Sequence, residues 1–314
     1  MNKFKKIGLT ALAGSLVATS AFAGELTASG AASIGVANTT GSGDTSTGKD
    51  WSMGNSVYLT GGGELDNGMT VSMSFELDNG VDTGTGTGPF DNHSVSISSD
   101  TLGTLVFAGH PGTSAQGSID TTAAGDLWNN TLGLNEDATP AASGNDSLLY
   151  TLPSMMDGLS LVLSMSPGRA GQETLTSYAA TFSGIDGLSV SFGQGDSGAP
   201  GALTESTTMK ASYAFGPVTL GISNTEVDNA GSTADVDLDA YSISYTISED
   251  LSVSYGQETF DTAGTTVDEE VQGVGVSYTS GGVTLSANQW EAKGGANVAG
   301  AKTDKWSLGA SFAF

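Results

Sequence analysis

The chain of 314 residues has no cysteine and a single arginine, Arg169. Without cysteine there can be no disulfide staples and no thiolate metal site. Basic residues are scarce: nine Lys and Arg stand against 34 Asp and Glu, a formal net charge of −25. Such a chain repels a phosphate backbone, so no nucleic acid is expected as a partner. No stretch after the first two dozen residues approaches the ~20 apolar residues that a membrane-spanning helix needs. Proline is rare as well. Pro89, Pro111, Pro140, Pro153, Pro167, Pro200 and Pro217 all fall between the apolar runs described below, as a hydrogen-bonded ladder requires. The two histidines, His93 and His110, fall in different expected loop regions, and no Ser/His/Asp spacing recurs. An enzyme is therefore not expected.

The first segment carries a targeting pattern. Lys3, Lys5 and Lys6 precede a short apolar run from Ile7 to Ala18, and Ala21-Phe22-Ala23 has small-x-small character. This pattern predicts a secretory signal peptide over residues 1–23, leaving a mature chain of residues 24–314.

What the mature chain has in abundance is alternation. At its end, Trp306, Leu308, Ala310, Phe312 and Phe314 are apolar at every second position, with Lys305, Ser307, Gly309 and Ser311 between them. A period of two is a strand with one apolar and one polar face. A chain that stops within a strand must pair that strand, because an open edge invites aggregation. The first mature strand, with Leu26, Ala28, Ile34 and Val36 on one face, is the expected partner, and the product is a closed barrel. Between these ends the same pattern recurs, most cleanly at Leu159, Leu161, Leu163 and Met165 and at Tyr241, Ile243, Tyr245 and Ile247. Connections alternate between long polar loops and short turns. The loops include residues 110–145, 224–235, 257–268 and 291–304. Sixteen strands result, with the rhythm of an antiparallel transmembrane β-barrel that has loops outside and turns in the periplasm.

The opposite face of these strands carries Ser72, Ser74, Ser94, Ser96, Ser164, Ser189, Ser191, Ser242, Ser244, Ser254, Gly273 and Gly275. A small barrel is filled by bulky interior side chains. Small hydroxyl and glycine residues around sixteen strands leave an aqueous lumen. Trp51, Tyr241 and Tyr255 at the loop side, with Phe215, Tyr278 and Phe314 at the turn side, suit two interfacial girdles. Leu149 departs from the pattern by pointing inward, where it can pack under a loop.

Acids crowd the expected loops, among them Glu226, Asp228, Asp261, Glu269 and Glu270. Asp235, Asp237 and Asp239 put three carboxylates on one face of an extended segment, a hard-oxygen set that suits Ca²⁺ or Mg²⁺; the plain alternative is an exposed acidic rim. They share parity with Tyr241 and should lie above the bilayer, beside lipopolysaccharide.

Four segments then carry a resemblance. They are Glu25-Leu26-Thr27-Ala28-Ser29-Gly30, Leu102-Gly103-Thr104-Leu105-Val106-Phe107-Ala108-Gly109, Leu149-Tyr150-Thr151-Leu152-Pro153 and the terminal Ala310-Ser311-Phe312-Ala313-Phe314. In this order the chain resembles the Gram-negative general porins of the alphaproteobacterial type. The resemblance implies a homotrimeric outer-membrane diffusion channel for small hydrophilic solutes and ions. It also implies that Phe312 and Phe314 form a signal read by the barrel-assembly machinery. In that family the third loop folds inward and constricts the pore. Here this loop is residues 110–145, carrying Asp120, Asp126, Glu136 and Asp137. His110 stands where such sequences often have arginine, and Lys210 is the one base expected at mid-wall. The family's facing arginine cluster is absent, so a one-signed acidic vestibule and weak cation selectivity are expected. A solute-specific channel is the nearest rival, although a sugar channel would want lumenal aromatics and those here have outward parity. A secreted acidic Ca²⁺-binding β protein or adhesin is the more distant rival and should show a fixed short repeat, which is not found.

Overall fold

The last strand does meet the first. In the computed structural model, which describes residues 26–41, 49–78, 92–110, 112–127, 146–168, 173–199, 202–231 and 233–314, strand β1 (Thr27–Gly41) pairs antiparallel with β16 (Lys302–Ala313). The register runs from Ala31↔Ala313 to Gly41↔Thr303. The backbone of Phe314 locks the seam by exchanging two hydrogen bonds with Gly30, at 2.7 and 3.0 Å. The remaining strands are β2 (Asp50–Glu64), β3 (Thr70–Asp78), β4 (Asn92–Ser99), β5 (Gly103–His110), β6 (Ser147–Thr151), β7 (Leu159–Ser166) and β8 (Leu175–Ile185). They continue as β9 (Leu188–Ala199), β10 (Ala202–Phe215), β11 (Val218–Asp228), β12 (Val236–Thr246), β13 (Leu251–Thr262), β14 (Glu269–Ser280) and β15 (Val283–Lys293). Each strand pairs with its sequence neighbours, so all sixteen form one closed antiparallel barrel. The expected signal segment lies outside the described residues, as do Glu136, Asp137 and Arg169. No helix among the described residues is long and apolar enough to cross a membrane; the strands make the crossing.

The exposed large apolar side chains are those expected to face lipid: Ile34, Met53, Leu163, Tyr213, Leu220, Ile243, Leu285 and Leu308 are among them. Their upper limit is drawn by tyrosines that reach outward glutamines. The Tyr178 hydroxyl donates to Gln194 Oε1 at 2.6 Å, Tyr255 donates to Gln272 Oε1 at 3.1 Å, and Tyr241 donates to Gln257. A ring on the apolar side and a bonded hydroxyl on the polar side suit the boundary between lipid and water.

Above that line the structure corrects the expected loops at 224–235, 257–268 and 291–304. Strands β11 to β15 run on, and the alternation reverses sign. Val227, Val236, Leu238 and Phe260 point inward and form one buried cluster. Val271, Trp290 and Ala292 form a second, with Leu127 packed against it. The register places Glu226 beside Asp237, Asp237 beside Asp261 and Glu270 beside Lys293 on the outer face. Outward carboxylates at this height cannot face hydrocarbon. The outer wall there meets water, so apolar side chains gain by turning in. The inward Phe260 and Trp290 overturn the expectation that aromatics have outward parity alone.

Candidate functional site

The segment that follows β5 does not stand up from the rim; it lies across the lumen along the inner wall. A single 3₁₀ turn, Gln116–Ser118, starts its path. The bonds that pin it follow the strand order. Ala115 N–H donates to Ser164 Oγ of β7 at 2.9 Å, and Gln116 N–H donates to Ser177 Oγ of β8 at 3.2 Å. The Gln116 amide then bridges β10: its Nε2 donates to Thr208 Oγ1 at 3.1 Å and its Oε1 accepts from Ser206 Oγ at 2.6 Å. Lys210 Nζ donates to the Thr121 carbonyl at 2.7 Å. Ala123 N–H donates to Ser223 Oγ of β11 at 2.8 Å. Glu258 of β13 closes the series by accepting from Leu127 N–H at 2.9 Å and from the Thr122 hydroxyl.

The small inward residues thus have two uses. On β7 to β14 they are a bed for the loop. A Cβ on Gly193 would meet Ile119 Cδ1 at 2.9 Å, and one on Gly256 would meet Ala124 Cβ at 2.8 Å. Ala115, Ile119 and Ala179 pack together with the inward Leu149 and Val162, which explains why Leu149 broke the alternation. On β15, β16 and β1 to β4 the inward serines and glycines have no loop over them among the described residues.

The charges sort differently from the expectation. Asp120, Asp126 and Lys210 do come together, at the loop and the wall beneath it. Burial, and after it the Asp126 charge, push the Asp120 carboxyl up to about 6, while Lys210 pulls the other way. Inward carboxylates on the wall were not expected. Glu258 and Glu269 are fully buried, and Glu76 takes hydrogen bonds from Ser56, Tyr58 and Asn92. Glu258 has the parity of Ser252, Ser254 and Gly256 and could have been found by extending that strand; nothing in the sequence singles out Gln116. The expected acidic vestibule is overturned in part, because Glu226, Asp228, Asp237, Asp239, Asp261 and Glu270 sit on the outer face of strands rather than around the mouth. Lys49 also lies outside, 5.7 Å from the ring centre of Trp306. Lys305 is inward, 5.5 Å from that of Trp290.

The triad of aspartates does not converge on an ion site. Asp235 Oδ1 accepts from Asn229 N–H at 2.8 Å, whereas Asp237 and Asp239 share the Asn224 amide at 2.6 and 3.1 Å. Among the described residues no three His, Asp or Glu side chains are grouped to hold a metal. The two histidines, expected in separate loops, are register partners at a bulge where β5 gives way to the loop. A substitution tests the electrostatic part of this arrangement. Lys210→Met removes the base that acts on Asp120 and Asp126 and is expected to raise cation preference, read as a larger zero-current potential in a salt gradient.

Comparisons with known proteins agree with this geometry. The profile of a family described as Gram-negative porin matches residues 8–249. No curated protein sequence matches the chain. Among solved structures, an anion-selective porin from Comamonas acidovorans superposes with a TM-score of 0.70 at 16% identity, covering 92% of this chain and 99% of that one. OmpT, an outer membrane protein of Vibrio cholerae, in its trimer form, gives 0.70 at 14% identity, covering 93% and 99%. A mutant of the Rh. blastica porin gives 0.68 at 19% identity, covering 92% and 100%.

Proposed function

From the premise that this chain belongs to the Gram-negative porin family, a β-barrel family of the outer membrane, we propose a water-filled, weakly cation-selective channel for passive diffusion of small hydrophilic solutes. The observation that carries the sign is the pairing of Asp120 and Asp126 on the inward loop, with Lys210 as the wall base that acts on them. The opposite arc presents serine and glycine; there Glu76 adds to the negative side, and Asp50 sets a carboxylate against the inward Lys305. Fixed negative charge in a low-dielectric passage concentrates cations. The anion-selective neighbour shares the fold at an identity too low to carry its selectivity over.

The remaining parts of the reading follow the same family. Residues 1–23 act as the cleaved signal. Phe314, with Phe312, is the segment that the assembly machinery reads. The functional unit is a homotrimer, supported by the trimer form of the OmpT neighbour. The acidic outer belt above the tyrosines is the surface that meets lipopolysaccharide. No cofactor and no catalytic group enter this reading.

The test is the reversal potential of the refolded chain in planar bilayers under a KCl gradient, measured across pH. A carboxyl raised to about 6 is charged above that pH and neutral below it. Cation preference is therefore expected to fall as pH drops through about 6, and Asp120→Asn should lower it at pH 7 and remove that step. Anion preference at pH 7 would overturn the charge assignment while leaving the channel.

A further inference from the structure

The loop does not fill the lumen where it meets β12 to β15. Beneath its Thr122–Leu127 stretch it leaves a niche of about 530 Å³ against the wall. The lining contrasts with the rest of the channel. Among the described residues that line it there is no Asp, Glu, Lys or Arg. Its polar side chains include the hydroxyls of Ser242, Ser244 and Ser254 and the amide of Asn288. Gly256, Gly273 and Gly275 make a flat floor between them, and Trp290 forms one end.

These polar groups are available to a guest. Ser244 and Ser254 are register partners across β12 and β13, yet among the described residues neither hydroxyl has a side-chain bond. Serines elsewhere on the wall satisfy one another, as Ser72 with Ser96 at 2.6 Å and Ser164 with Ser177 at 2.6 Å do. Asn288 reaches Ser307 only at 3.5 Å, a length at which little bonding remains. An uncharged pocket with alternating donors and acceptors over an apolar glycine floor is poorly matched to an ion. It matches a molecule with many hydroxyls and weakly polar C–H faces.

We propose that this niche is a resting subsite for neutral polyhydroxylated solutes of mono- or disaccharide size. The proposal rests on the channel reading above and names the solute class that lingers within it. An acidic constriction alone discriminates by charge. The niche adds discrimination among neutral solutes, by exchanging hydration for hydrogen bonds to Ser244, Ser254 and Asn288.

The experiment is single-channel current recording in KCl with added glucose or sucrose, against polyethylene glycol of matching hydrodynamic size. Saccharide should produce brief, concentration-dependent current interruptions that the polymer does not. The double variant Ser254→Ala/Asn288→Ala should keep the wild-type KCl conductance and weaken the apparent saccharide affinity about tenfold, the loss of one or two hydrogen bonds. Equal effects of saccharide and polymer, or an unchanged affinity in a conducting double variant, would overturn the subsite while leaving the channel. If that variant does not conduct, single Ser254→Ala serves, with the same readings. Absence of any conductance in the wild-type chain would instead overturn the channel reading, and the subsite with it.

Discussion

Replacing Glu258 with alanine is expected to raise single-channel conductance, add open-state noise and widen the size limit for neutral polymers. The residue is fully buried between wall and loop, where it receives the Thr122 hydroxyl and the Leu127 N–H. An intramolecular hydrogen bond contributes about 0.5–1.5 kcal/mol net, and a buried group that loses its partner costs about 1–3 kcal/mol. Losing both also takes a partner from the buried Thr122 hydroxyl and the part-buried Leu127 N–H, which adds to the cost. A local penalty of about 3 kcal/mol or more multiplies the detached population of this end of the loop by a hundredfold or more. The other anchors, at Ser164, Ser177, Ser206, Thr208, Lys210 and Ser223, hold the earlier stretch. Only the part beyond Ala123 should loosen, and the barrel should keep its unfolding midpoint. Glu258→Gln keeps an acceptor and the side-chain volume, and should lie near the wild type. An alanine variant with wild-type conductance and polymer cut-off would show that the wall serines suffice.

That anchor illustrates what the sequence makes legible and what it hides. Alternation at Leu159 to Met165 or Trp306 to Phe314 is imposed by lipid on one side and water on the other, so sixteen strands and their closure can be counted from residue types alone. Loop and turn lengths then assign the two ends of the barrel. The rule fails where its cause ends. Above the bilayer water lies outside the wall, the apolar parity flips at Val227, Leu238, Phe260 and Val271, and a reader following outward apolar residues sees loops. The loop site was legible by position, since Asp120, Asp126 and Lys210 do meet. Its fastening was not, because Gln116 bridging Ser206 and Thr208 is a contact between residues about ninety positions apart. The acids of β11 to β14 were visible, but the side they face depends on strand ends that the sequence blurred.

The flipped collar has an energetic consequence that separates a phenylalanine buried inside the wall from one that faces lipid. Phe260 is fully buried in the cluster of Val227, Val236 and Leu238, with Glu226, Asp237 and Asp261 outside it. Because that outer face is in water, burial there draws on the hydrophobic effect as in a soluble protein. Phe260→Ala should therefore cost about 3–5 kcal/mol, through lost transfer energy and the cavity left behind. Phe107 on β5 is outward and 45% exposed, among the lipid-facing residues. On urea unfolding the strand leaves the bilayer for water, so truncation there loses the transfer energy of the removed atoms but leaves no cavity, because lipid fills the space. Phe107→Ala should cost clearly less. Urea unfolding of both variants from the same vesicles, followed by tryptophan fluorescence, compares them directly. A collar variant no less stable than the lipid-face variant would mean that water does not reach the outer wall at Asp237 and Asp261. The boundary drawn by Tyr178, Tyr241 and Tyr255 would then have to move upward.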